Sequence, residues 1–164
     1  MKTNLLRAVL LLVVICTLNS CSPEVTMDTA NLHVVENYDY NTTELEAMDL
    51  INDYRVSVGL NPLEKINHVS YKSDEHNNYM ITNKVVNHND FLARSGNIMK
   101  LLGAKNVAEN IAYNYNTPQK ALEAWLNSPG HKENILGNFT HFGIGIKADP
   151  ENGRKYYTNI FVKI

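Results

Sequence analysis

The last third of the chain alternates between apolar and polar or small positions. Phe142, Ile144, Ile146 and Ala148 interleave with His141, Gly143, Gly145 and Lys147, and Tyr156, Thr158, Ile160, Val162 and Ile164 resume the same period beyond Asp149 to Gly153. A period of two on either side of a run containing Pro, Asn and Gly predicts a β-hairpin. The two glycines in its first strand let something approach the backbone closely, either a ligand or a crossing helix.

Upstream the spacing changes to three and four. Leu45, Met48, Ile51 and Val56 predict a first helix to about Ser57, with Thr42 or Thr43 as N-cap, Glu46 as capping-box partner, and Gly59 and Asn61-Pro62 as its end. Ile66, Val69, Ser73, His76 and Met80 form one stripe of a second helix, from about Ile66 to Asn83. That stripe points His76 inward, as a core histidine bonded to backbone or as part of a cavity wall. Phe91, Ile98, Leu101 and Leu102 predict a short helix stopped by Gly103, and Asn106 to Tyr113 predicts an extended segment that carries Glu109 into the interior. Thr117-Pro118 starts another helix, with Ala121, Leu122 and Trp125 as its buried face. Pro129-Gly130 breaks it, and Lys132 to Leu136 allows one more turn before Gly137. The fold class is α+β, an antiparallel sheet covered by helices.

At 164 residues the chain suits one domain with a real core. Fifteen Lys and Arg against 17 Asp and Glu give no basic field, which excludes a nucleic-acid partner and adsorption to anionic membrane surfaces by charge. Lys2 and Arg7 precede an apolar run from Ala8 to Cys16 that is too short to span a bilayer, so residues 1–20 read as a signal peptide. Leu18-Asn19-Ser20-Cys21 resembles the lipobox of bacterial lipoproteins, in which the signal is cut before the Cys and the Cys is lipidated. The expectation is an exported protein whose membrane partner is reached through lipidated Cys21, with Ser22 favouring the outer membrane in a two-membraned cell. Residues 21–40 read as a flexible tether and 41–164 as the folded domain. No cysteine follows Cys21, so the domain has no disulfide.

The chemistry concentrates between Asn106 and Asn134. Glu109 lies between apolar neighbours in Ala-Glu-Asn-Ile-Ala, and burying its carboxylate requires a donor, a cation or a metal opposite it. His131 follows Ser128-Pro129-Gly130, a helix-ending turn that presents the imidazole from a rigid corner. His88 sits on a turn after Val85-Val86-Asn87. Nucleophilic catalysis has little support, since Ser128 lacks a G-x-S-x-G context and no cysteine is available.

The strings AENIA, AWLNSPGH, KENIL and HFGIGI, in this order and spacing, resemble the bacterial branch of the CAP superfamily, the SCP-like domain of cysteine-rich secretory, antigen 5 and pathogenesis-related type 1 proteins. The resemblance runs from Thr43 to Ile164. It implies an α-β-α sandwich with helices on both faces of the sheet, and a cavity lined in better-known members by two His and two Glu. By motif, His88 and His131 take the histidine places and Glu109 the first glutamate place. The second glutamate's place holds Ser128, and Asn89-Asp90-Phe91 replaces the usual Pro-Asp-Gly loop. His76 also has a counterpart in the bacterial relatives.

His88 and His131 are therefore the candidate metal ligands, for zinc or another divalent cation, with Glu109 as candidate general base. His76 and Ser128 complete the candidate cavity wall. The leading expectation is a membrane-anchored domain that binds a lipid, glycan or peptide ligand in that cavity. A metal-dependent envelope hydrolase or peptidase is the alternative, and a structural interaction module the third.

Overall fold

The alternating third of the chain forms the centre of a four-stranded sheet in the computed structural model, which describes residues 33–164. Strand β3 (His141–Ala148) and strand β4 (Lys155–Lys163) pair antiparallel from His141↔Val162 to Ala148↔Lys155. Gly153 closes the connecting turn with φ +73°, a left-handed conformation that glycine adopts without steric cost. Strand β2 (Asn106–Tyr113) lies antiparallel on the other side of β4. Strand β1 (Glu64–Lys65) adds to β3 in parallel, giving the order β1-β3-β4-β2. The sheet is thus mixed rather than wholly antiparallel, because a strand of two residues has no period to read.

Every residue from Tyr156 to Val162 is buried, so β4 is covered on both faces and a layer of helices is needed on each. On one face lie α1 (Thr42–Ser57), α4 (Pro118–Leu126) and α5 (Pro129–Leu136), where Met48, Ile51, Leu122, Trp125 and Ile135 pack on Phe142, Ile144, Tyr157 and Phe161. On the other lie α2 (Asn67–Asn83) and α3 (Phe91–Leu102), where Val69, Ile98 and Met80 meet Val107, Ile111, Tyr156, Ile160 and Val162. The result is the expected α-β-α sandwich.

The occupant that the strand glycines admit is a helix. A Cβ on Gly145 would lie 2.7 Å from the Asp74 amide nitrogen, and one on Gly143 would strike Ser70 and Val69, all on α2. The close crossing is stitched by hydrogen bonds, with Ile144 N–H donating to Ser70 Oγ at 3.2 Å and Ser73 Oγ–H to Gly143 O at 3.3 Å.

Two helix starts differ from the sequence pattern. The N-cap of α1 is Asn41, not Thr42 or Thr43: Glu44 N–H donates to Asn41 Oδ1 at 2.9 Å and Asn41 N–H to the Glu44 carboxylate at 3.0 Å, making Glu44, not Glu46, the capping-box partner. Tertiary contacts decide this, since buried Glu44 also accepts from Ile146 N–H and Tyr38 Oη–H, each at 2.9 Å. Helix α5 starts at Pro129 rather than near Lys132, because a proline that breaks one helix suits the first position of the next, where no N–H is required.

The folded unit also begins earlier than residue 41. Val35 N–H donates to His68 Nδ1 at 3.2 Å, Asn67 Nδ2–H to Glu36 O at 2.6 Å, and Tyr40 Oη–H to Asn67 Oδ1 at 3.0 Å. The segment before α1 is therefore fastened to α2 rather than free. The expected signal peptide, Cys21 and the start of the expected tether lie outside the described residues.

Candidate functional site

The group opposite Glu109 is a cation. Glu109 projects from β2 with 1% of its side chain exposed and meets Arg94 of α3, whose side chain is 9% exposed. The guanidinium grips the carboxylate as a fork, Nε to Oε2 at 2.9 Å and Nη2 to Oε1 and Oε2 at 2.9 and 2.7 Å. Its remaining arm, Nη1, donates to Asn89 O at 2.9 Å and so fastens the loop that carries His88. Sequence reasoning named Glu109 and missed Arg94. The signal was there: Arg94 stands three residues after Phe91 and four before Ile98, on the flank of an apolar stripe where a charge requires a partner.

His88 donates Nδ1–H to Glu109 Oε1 at 2.9 Å, which leaves Nε2 directed away from the carboxylate on a side chain that is 51% exposed. His76 lies behind this pair. Its ring is buried, stacks on Tyr79 at 5.7 Å and donates Nε2–H to Asn87 O at 2.8 Å. It supports the His88 loop from below, and of the two readings left open it takes the core one, with its ring nitrogen spent on backbone. Burial pushes the His76 pKa down, and the nearby Arg94 charge adds to that.

His131 and Ser128 lie on the other side of β2, at the junction of α4 and α5. Ser128 is the N-cap of α5 but makes no side-chain cap bond, and His131 follows on the first turn. The turn is held by Asn110 Nδ2–H donating to His131 O at 2.9 Å, while Asn134 Nδ2–H donates to Asn110 Oδ1 at 2.8 Å. Ser128 and His131 line a cavity of about 280 Å³, with Ala124 and Trp125 of α4, Tyr113 and Tyr115 at the end of β2, and Val86 from the His88 loop. Trp125 is both core and wall: it is 2% exposed and its Nε1–H donates to Ile111 O at 2.9 Å. Burial lowers the His131 pKa, and His88 lowers it further.

The predicted residues therefore fall into two groups. His88 and Glu109 meet, with Arg94; Ser128 and His131 meet on the cavity wall. Both Glu109 oxygens are occupied by Arg94 and His88, and among the described residues no group of three or more His, Cys, Asp or Glu is placed to hold a metal.

Residues 48–162 match the cysteine-rich secretory protein family, CAP. The chain belongs to that family. The CAP domain here is 35% identical over 128 residues to the uncharacterized membrane protein YlbC of Bacillus subtilis, covering 74% of this chain and 35% of that protein. The chain thus spans about a third of the length of that relative. The crystal structure of an extracellular SCP-domain protein from Bacillus anthracis superposes with TM-score 0.65 at 26% identity, over 74% of this chain and 40% of that one. An outer surface protein of Borrelia burgdorferi shares the fold at TM-score 0.67 and 19% identity, over 79% of this chain and 98% of that one.

Proposed function

We propose that this CAP domain is an extracellular binding module that takes its ligand beside the outer edge of β2, between His88 and His131, and that it is not a hydrolase. The observation that carries the reading is the fork of Arg94 on Glu109. A general base must be able to accept a proton from water or substrate, and both oxygens of this carboxylate are committed to a guanidinium and an imidazole. Glu109 then acts as an anchor that fixes the direction of His88. The place of a second carboxylate holds Ser128, which can hydrogen-bond a ligand but cannot exchange a proton as an acid or base near neutral pH.

A divalent cation would have only the two imidazoles, and two neutral ligands without a carboxylate are a weak set, so the reading requires no metal. Export and anchoring through Cys21 are part of the proposal, supported by the leader-like pattern before Cys21 and by relatives described as a membrane, an extracellular and an outer surface protein.

The test is a panel of fluorogenic peptides and esters, offered with and without Zn²⁺, and read for turnover and for ¹⁵N chemical-shift changes. Binding that perturbs His88, Tyr113, Ser128 and His131 without turnover is expected. Turnover that disappears in Glu109→Gln overturns the reading.

A further inference from the structure

We propose, building on the binding reading above, that the cavity beside His131 is a subsite for one uncharged aromatic side chain of a peptide or protein ligand, a tyrosine or tryptophan whose polar end meets Ser128 and His131. Size sets the first limit. About 280 Å³ is slightly below the roughly 300–1,000 Å³ of pockets that enclose drug-sized molecules, so the space fits a single group rather than a whole ligand.

The walls set the second limit. Tyr113 and Tyr115 offer ring surface, Val86 and Ala124 add aliphatic surface, Trp125 backs them at 2% exposed, and no Asp, Glu, Lys or Arg lines the cavity. Aromatic walls favour an aromatic guest over an aliphatic one of equal area through offset and edge-to-face ring contacts. Two of the wall's polar groups, the Ser128 hydroxyl and the His131 imidazole, stand together at the α4–α5 junction. The Trp125 indole N–H is already spent on Ile111 O and the Tyr113 hydroxyl accepts from Arg154 Nη1 at 3.1 Å, whereas the Ser128 hydroxyl makes no cap bond. A phenol or indole supplies a hydrogen-bonding atom at one end of an apolar body, which matches that layout.

The edge of β2 sets the third limit. Its outward carbonyls at Ile111 and Glu109 accept from Trp125 Nε1 and, at 3.4 Å, from Asn134 Nδ2. A peptide cannot pair with those groups as an added strand, so a side chain in the cavity has to supply the hold. Apolar surface for the rest of a partner is present nearby, since Val86 is 47% and Leu92 86% exposed on either side of His88.

The experiment is ¹⁵N chemical-shift titration of the full chain with N-acetyl-tyrosinamide, N-acetyl-tryptophanamide, N-acetyl-leucinamide and octanoate, repeated on Ala124→Trp and Ala124→Leu. Both aromatic amides should shift Val86, Tyr113, Ala124, Ser128 and His131 together and bind about three- to tenfold tighter than the leucine amide. Ala124→Trp, which fills the cavity, should weaken them at least tenfold, with Ala124→Leu intermediate and both variants giving native-like spectra. Octanoate bound as tightly as the aromatics would overturn the proposal in favour of an acyl-tail site. Silence at the cavity while ligands still perturb His88 would overturn the subsite and leave the binding reading standing.

Discussion

Replacing Arg94 by Met should be among the most damaging single changes outside the apolar core. Methionine keeps most of the aliphatic stem and its packing, so the loss isolates the guanidinium. The pair it breaks is nearly sealed from water, with 1% and 9% exposure, and is joined by three N–H···O contacts of 2.7 to 2.9 Å. The value of about 0–1 kcal/mol for exposed ion pairs therefore does not apply, and the cost is that of leaving a buried carboxylate without its cation, about 3–5 kcal/mol. In urea, with m of about 2 kcal/mol/M, the midpoint should fall by about 1.5–2.5 M.

A cycle with Glu109→Gln separates the pair from its surroundings. Because the second change removes the charge that the first left stranded, the double variant should recover about 2–3 kcal/mol relative to the sum of the singles. Equilibrium unfolding of the four proteins, with His88→Ala as a reference that costs about 1 kcal/mol, supplies the numbers. A loss below about 1 kcal/mol in Arg94→Met, or strict additivity in the cycle, would refute the argument that Glu109 is an anchored, desolvated charge.

Three further outcomes are expected. Gly145→Ala should cost about 1–3 kcal/mol in the same unfolding assay, because its Cβ would meet the Asp74 amide at 2.7 Å and neither backbone can retreat cheaply. Asp90→Gly should gain up to about 1 kcal/mol, since Asp90 sits at φ +58° in the loop after His88 without capping α3 through its side chain; no gain would mean the loop relaxes that strain by other means. Stability should fall as the medium is acidified below about pH 6.5, the ordinary histidine value. His68 and His76 are buried with pKa values pushed down by burial, so the unfolded chain takes up protons there before the folded one does, and stability present above the unfolded pKa is lost as pH falls towards the folded values. Urea midpoints at about pH 7.5 and 5.0, on either side of that value, check this, and His68→Gln should flatten the dependence.

What could be read from the sequence was whatever repeats with a period or punctuates one. The β3–β4 alternation, the stripe of α2 and the Thr117-Pro118 start of α4 all reappear in the structure, because each rests on several residues that agree. Single-residue decisions fared worse where distant contacts choose among equal local options. Asn41 and Thr43 are both good N-caps, and the Tyr38 hydroxyl together with the amide of Ile146, more than a hundred positions away, selects the one that puts Glu44 in reach. The docking of Val35 and Glu36 on α2 was hidden for the same reason, since backbone bonds to His68 and Asn67 leave no trace in the composition of a polar segment. Glu109 announced itself as a charge among apolar neighbours and demanded a partner. Its partner's identity was a question of tertiary geometry.

Two features of the site act together. Arg94 cancels the Glu109 charge on one side of β2, and Ser128 places a hydroxyl rather than a charge at the α4–α5 junction. A cavity flanked by two free carboxylates would favour cations and proton transfer; this one is walled by rings and aliphatic groups and keeps its polarity in Ser128 and His131. A wall without charged groups lowers the desolvation cost of bringing in an uncharged apolar group, while the buried fork holds the His88 loop in place. Charge is thus used here to fix backbone, and on the reading proposed above the uncharged wall beside His131 would recognise shape and one polar end group.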